Sequence, residues 1–331
     1  MSLKTVSARH IRLIASYWIR YVVRSGAGLV FLLIALVFSL TVAHIIIMPV
    51  EQIMAQQTKS DQESNREKIV TTIVELSRPV IRWTLGIKSD EDDALFGAMK
   101  QGISSPPEVP MLEHVMAQAQ PPTHPWTTFL LDERPALLSI IFLILIFSMP
   151  FLIAFLAFNQ IAGDVQNLGL RYVLLRTERA NIFIGRFLGT ALFSTLVIAV
   201  IIATITFYLG VKIKIYPAGL LAVWALHGFL ALAISTLPYI ALCSWISTLV
   251  DSPFLSLVIA KMVIGGVLLL AFLGSLAWRP VIYLNFALPW GIQNHLLHPQ
   301  LTHSLGTTLA CLAYMLVFLF LGYYRFETRD L

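Results

Sequence analysis

Charge is what this sequence has least of. Of 331 residues only 12% are charged, whereas an ordinary soluble domain carries about 25%. Hydrophobic residues make up 57%, and the mean hydropathy is +0.79. So few polar groups cannot cover a soluble surface, but a bilayer solvates apolar side chains directly. Cysteine is also scarce: Cys243 and Cys311 both sit inside apolar runs. That excludes a disulfide framework and suits small buried hydrophobes. No G-x-x-x-x-G-K-[ST] phosphate cradle, H-E-x-x-H pair or nucleophile elbow occurs. The chain is therefore not expected to hydrolyse a nucleotide by itself, to act as an intramembrane metalloprotease, or to carry catalytic residues, metal ligands or a bound cofactor. The net charge of +5 invites a nucleic-acid partner, but its placement in short loops beside apolar runs fits a membrane protein instead.

What is present is a set of apolar runs, each long enough to span a bilayer, which needs about 20 residues. Six qualify, at 27–49, 136–158, 187–210, 219–247, 253–275 and 304–323. The expected fold class is an all-α integral membrane protein with six transmembrane helices. The first run follows a long basic lead and exceeds a signal-peptide core, so it reads as a retained anchor. Residues 1–26 mix Ile11, Leu13, Ile14, Trp18 and Tyr21 with Arg9, Arg12, Arg20 and Arg24. This spacing predicts an amphipathic helix lying in the interface against membrane lipid, although a plain basic tail is the simpler alternative.

Lys and Arg placement sets the orientation. With the N-terminus inside, the inner segments hold eleven basic residues, and the short outer loops hold only Lys212, Lys214 and Arg279. Both termini are thus expected in the cytoplasm. Segment 50–135 then lies outside. From Glu51 to Pro135 it has eight basic and thirteen acidic residues, and long loops translocate regardless of charge. Ile69, Ile73, Leu76 and Val80 predict a helical first part. Six prolines between Gln101 and Pro125 predict extended loop after it. Ser89 followed by Asp90, Glu91, Asp92 and Asp93 reads as a helix cap with acids in the first turn. Met111, His114 and Met116 are too sparse a set for a copper site.

The most informative stretch lies in the loop 159–186. It runs Asp164-Val165-Gln166-Asn167-Leu168-Gly169-Leu170-Arg171-Tyr172-Val173-Leu174-Leu175-Arg176-Thr177-Glu178-Arg179, and Gly185-Arg186-Phe187-Leu188-Gly189 opens the third span. Leu168, Leu170, Leu174 and Leu175 can form an apolar face while Arg171, Arg176 and Arg179 stay polar. Such a helix either docks in a partner's groove or lies against headgroups, and physics alone leaves both open.

The stretch resembles the signature of ATP-binding-cassette exporter permeases of the second type. Asp164 stands at the acidic position, Gly169-Leu170 at Gly-Thr and Leu174-Leu175 at the Leu pair. Arg179 matches the arginine, and Gly185-Arg186-Phe187-Leu188 matches the opening of the helix. Thr177 stands where that family has proline, Leu170 replaces its threonine and Arg186 its lysine, which marks a divergent branch. The C-terminal Arg325-Phe326-Glu327-Thr328-Arg329-Asp330-Leu331 resembles the short basic tail of these permeases.

The resemblance implies an N-terminal elbow helix and a cytoplasmic coupling helix over Asp164–Arg179 that sits on a separate ATPase subunit. That partner would use ATP and Mg, the turn at Asp251 would be a second contact, and a second or related permease copy would complete the pore in a bacterial inner membrane. By the same resemblance 276–303 would form an outer re-entrant or interfacial element, with 324–331 as the cytoplasmic tail. Segment 50–135 is longer than a turn needs to be, so it is expected to dock an extracytoplasmic protein or to let the permease transmit force to one.

Two residues are candidates for a transport path. Lys261 lies early in the fifth span, where snorkelling to the near face is the favoured reading. His227 in the fourth span is expected to bond between helices. Pro150 and Pro238 lie inside spans, where neighbours must satisfy the freed carbonyl. A stand-alone channel or secondary transporter is the rival reading, but it would need more ionisable or broken-helix positions at mid-depth than these.

Overall fold

The computed structural model describes residues 7–57, 126, 129–166, 174, 177–213, 216–277 and 279–329. Expectations for 58–125, including the helical stretch Ile69–Val80, the acidic run after Ser89 and the Pro-rich loop, fall outside these residues. Every described element is helical. In chain order they are α1 (Ala8–Arg24), α2 (Ala27–Gln57), a single π-turn (Phe129–Glu133), α3 (Ala136–Ala157), α4 (Ala162–Gln166), α5 (Arg179–Lys212), α6 (Ala218–Leu249), α7 (Pro253–Ala277), three 3₁₀ turns between Arg279 and Leu297, and α8 (Leu301–Thr328).

Six helical stretches are long and apolar enough to cross a membrane: Ala27–Met48, Ala136–Gln166, Arg179–Lys212, Ala218–Leu249, Pro253–Ala271 and Leu301–Thr328. These are the six expected runs with shifted ends. The clearest shift is at α5, which begins at Arg179, eight residues before the expected 187. The sequence reads as loop there because Arg179 and Arg186 interrupt the apolar run, but both arginines are bonded within the chain (below). At 34 residues, α5 is about 50 Å long and exceeds the roughly 30 Å hydrocarbon layer. Several hydroxyls within the spans are satisfied locally: Ser39, Thr195 and Thr204 each donate to the carbonyl four residues back.

The chain forms two compact units, Met1–Glu51 with Ile141–Leu331, and Gln52–Ile140. In the first, the middle of α3 is the core: Ile141, Phe142, Leu143, Leu145, Ile146 and Ile153 are all fully buried. Close approach to α3 requires a missing side chain at Gly228 of α6, where a Cβ would lie 2.2 Å from the Phe142 ring. Cys243 and Cys311 are free and buried. α6 and α8 pack side by side, with Trp245 stacked on Phe318 at 6.0 Å between centroids and Gly322 beneath Phe183 and the Trp245 backbone. Between α1 and α2 the chain turns at Gly26, whose φ of +76° only glycine adopts readily. Farther along, α2 meets α5 through a His44 Nδ1 to Tyr208 hydroxyl bond of 2.8 Å. Of the second unit, the described side chains place Arg134 over the Phe129 ring at 5.0 Å.

Candidate functional site

Among the described residues, two polar networks in this apolar bundle join several elements each, and both are built from residues far apart in sequence. The first lies at the N-terminal end of α5. Arg186 is buried and pairs with Asp164 of α4. Its other amino group donates to the Gln160 carbonyl, and its guanidinium lies 5.1 Å over the Trp18 ring of α1. α6 joins through Ser244, which donates to Gln160 Oε1 at 2.6 Å, and through Ser247, whose oxygen accepts from the Ile161 and Ala162 amides at 3.0 and 2.9 Å. Those amides are orphan donors at the start of α4, and Ser247 takes the role of a cap.

Two turns further out, Arg179 donates to three carbonyls of the C-terminal segment, those of Phe326, Glu327 and Arg329, at 2.9, 2.9 and 2.8 Å. They include acceptors left open at the end of α8, where a cation is also favoured by the helix dipole. Arg329 in turn donates to the Thr248 carbonyl at 2.7 Å and pairs with Asp251. Burial lowers the Arg329 pKa from its ordinary value. The loop before α5, the turn after α6 and the chain's tail are thereby tied into one polar layer.

Of the loop residues singled out in sequence, Asp164 is held by Arg186 and Arg179 by the tail. Leu174 departs from the expected outward face: it packs on the chain's own cluster of Ile161, Ile182, Phe183 and Phe326. Those four are buried to 1% or less and offer more apolar contact than the polar side of the loop. Leu168, Gly169, Leu170, Arg171, Leu175 and Arg176 lie outside the described residues.

The second place is near the middle of α3. Pro150 has no N–H to give the Ile146 carbonyl four residues back. Gln293, from the last 3₁₀ turn, reaches that carbonyl with Nε2 at 3.4 Å, and its Oε1 accepts from the Tyr239 hydroxyl at 3.0 Å. Beside it Trp290 stacks on Phe147 at 5.9 Å and donates to the Ile264 carbonyl at 3.3 Å. The 3₁₀ segment thus inserts among α3, α6 and α7. Non-helical backbone is tolerated at such depth only when buried in protein, and Pro289, Trp290, Gln293 and Leu297 are buried.

Lys261 donates to the Phe151 carbonyl at 2.8 Å, with its amine 3.6 Å above the Phe155 ring. It is therefore bonded to α3 instead of simply extending to the near face. His227 bonds through Nε2 to the Leu296 carbonyl at 3.1 Å and stacks on Trp224. The two candidate path residues are on different elements, Lys261 on α7 and His227 on α6. Among the described residues no cluster of His, Cys, Asp and Glu has the makings of a metal site.

Sequence reasoning missed how α1 is seated. Gly185 and Gly189 leave room for it: a Cβ would stand 2.8 Å from the Ile14 Cβ at the first, and 3.0 Å from the Ala15 carbonyl oxygen at the second. The small-xxx-small spacing of helix–helix contacts in membranes was the available signal. Trp18 then donates Nε1 to Thr190 at 2.9 Å, and the Ser7 amide donates to Asn181 Oδ1 at 3.2 Å. Contacts advance in step along both helices, from Ser7–Asn181 to Trp18–Thr190, so α1 runs beside α5 in the same direction.

The family profile described as ABC-2 family transporter protein matches residues 14–305, from within α1 to the start of α8. The chain belongs to the ABC-2 transporter family. This ABC-2 permease is a multi-pass membrane protein and the membrane component of an ABC transporter, whose ATPase is a separate partner. No individual curated protein matches the permease. The match includes the Arg186–Asp164 network and the Gln293 site, while most of α8, with the tail that Arg179 holds, lies beyond it.

Proposed function

We propose that the permease is the membrane half of a bacterial exporter, moving a substrate outward or transmitting force to an extracytoplasmic partner through segment 50–135. Both termini face the cytoplasm in this reading, on the strength of eleven basic residues against three in the short loops. The chain works as a homodimer or beside a related permease. ATP and Mg bind only to the cytoplasmic ATPase subunits.

The observation that carries this reading is the polar layer at the N-terminal end of α5. α1 would be the elbow helix. The loop Asp164–Arg179 would be the coupling helix, and its two ends are fixed to the bundle through Asp164–Arg186 and through Arg179 and the tail. A push on that loop would thus reach α5, α6 and α8 together. Within the loop, Asp164, Leu174 and Arg179 serve as anchors. Leu168, Leu170 and Leu175, with Gly169 allowing close approach, meet the ATPase, and Arg171 and Arg176 set its orientation. Packed interfaces move between discrete arrangements, which suits a switch between inward and outward states.

A detergent pull-down of the tagged chain from its native membrane tests the proposal. A stoichiometric nucleotide-binding subunit with vanadate-sensitive ATPase activity is the expected result. A chain that emerges alone and inactive, under conditions that preserve complexes, overturns it.

A further inference from the structure

Two sets of arginines among the described residues differ sharply. Arg179, Arg186 and Arg329 are consumed by internal bonds. Arg12 and Arg20 are exposed, and among the described residues neither has a hydrogen bond, an ion pair or a ring contact. No acidic residue occurs anywhere in α1, so their charge is uncompensated along the helix.

These two arginines border a groove of about 740 Å³ between α1 and α5. Its floor and walls are apolar, with Ile11, Ala15 and Ile19 from α1 and Leu188 and Leu192 from α5. Arg12, Ser16 and Arg20 stand on successive turns along its rim. At 1.5 Å per residue each arginine is about 6 Å along the axis from Ser16, so both guanidinium groups can converge on one anion above that hydroxyl. Leu188 and Leu192 lie where α5 passes from its polar first turns into its apolar run, and a span so composed puts such a transition where headgroups give way to acyl chains.

We infer that this groove is a binding site for one anionic glycerophospholipid, with an acyl chain laid between α1 and α5 and its phosphate held by Arg12 and Arg20. A zwitterionic lipid brings a cation of its own and leaves the net charge of the arginine pair undiminished, whereas an anionic lipid halves it; a free phosphate would leave the apolar floor empty. The assignment does not depend on the transported substrate or on how the ATPase couples.

Native mass spectrometry of the full-length chain in neutral detergent tests this, with dioleoyl phosphatidylglycerol, dioleoyl phosphatidylcholine and glycerol 3-phosphate as probes. Phosphatidylglycerol should be retained about tenfold more than phosphatidylcholine. Arg12→Gln with Arg20→Gln should reduce it to the phosphatidylcholine level. Arg9→Gln with Arg24→Gln removes equal charge away from the groove and should leave retention unchanged. Leu192→Trp fills the groove and should lower retention of both lipids. It also decides the question if the double arginine variant fails to elute as a folded chain. Retention that survives loss of Arg12 and Arg20, retention that falls equally without Arg9 and Arg24, or displacement of the lipid by equimolar glycerol 3-phosphate would overturn the assignment.

Discussion

Gln293 completes the hydrogen bonding of Ile146, the residue whose carbonyl Pro150 leaves without its helical donor. The two are 147 residues apart, and the bond fixes the 3₁₀ segment at the middle of α3. Proline inside a membrane helix is tolerated on this condition. The same amide takes the Tyr239 hydroxyl, so one side chain serves two helices.

Gln293→Leu should therefore destabilise the bundle by about 1 kcal/mol, the scale of interhelical bonds in membranes. Pro150→Ala restores the N–H to Ile146, so the loss should shrink in that background. Thermal unfolding of the four variants in detergent gives the cycle, and strictly additive losses would refute the pairing.

Gly189→Leu should expel α1 from α5, because the new side chain meets the Ala15 backbone, which cannot rotate away. Limited trypsin digestion reads this directly. Cleavage at Arg12 and Arg20 should quicken well beyond wild type, while Gly219→Leu, with nothing within 4 Å of its Cβ, should leave the rate unchanged.

Arg186→Met leaves the Asp164 carboxylate and the Gln160 carbonyl without their donor. We expect a loss on the order of 3 kcal/mol for this variant. Asp164→Asn should lose on the order of 1 kcal/mol, since Asp164 is a third exposed and solvent screens it. Denaturation midpoints of the two variants, compared in one detergent, check the order. Equal losses would mean the pair does not hold α4 to α5.

Leu174→Asp and Leu170→Asp should fail in different ways. The first places a carboxylate against Phe183 and Phe326, so the chain itself should lose yield and melt earlier. The second is expected to fold normally and to lose the ATPase subunit on purification. Undiminished co-purification of the ATPase with Leu170→Asp would remove Leu170 from the proposed contact.

Much of the bundle was legible in sequence because spanning a bilayer is a one-dimensional requirement. Six apolar runs of sufficient length appear as six helices, and scarce charge made the runs easy to see. Even so, Arg179 and Arg186 displaced the expected start of α5. Loop and helix differ there only in whether a distant carbonyl or carboxylate meets the arginine. For the Asp164–Arg179 stretch only the resemblance favours a docking helix, since nothing in its spacing separates one from a helix lying on headgroups, and most of its middle lies outside the described residues. The insertion of the 3₁₀ segment was only partly visible. Trp278, Pro280, Pro289 and Trp290 mark an irregular aromatic element at 276–303, but they do not announce which carbonyl Gln293 will find.

By itself, then, the sequence determined the number of spans, the basic asymmetry of the short loops and the family, all properties of composition along the chain. Tertiary structure alone decided that Arg186 holds Asp164, that Arg179 holds the tail, that Leu174 faces inward, and that α1 leaves Arg12 and Arg20 free beside an apolar groove. The reason is physical. In a bundle whose surfaces are apolar nearly everywhere, burial does not distinguish one packing from another, and the few polar groups choose it by finding partners that local sequence does not contain.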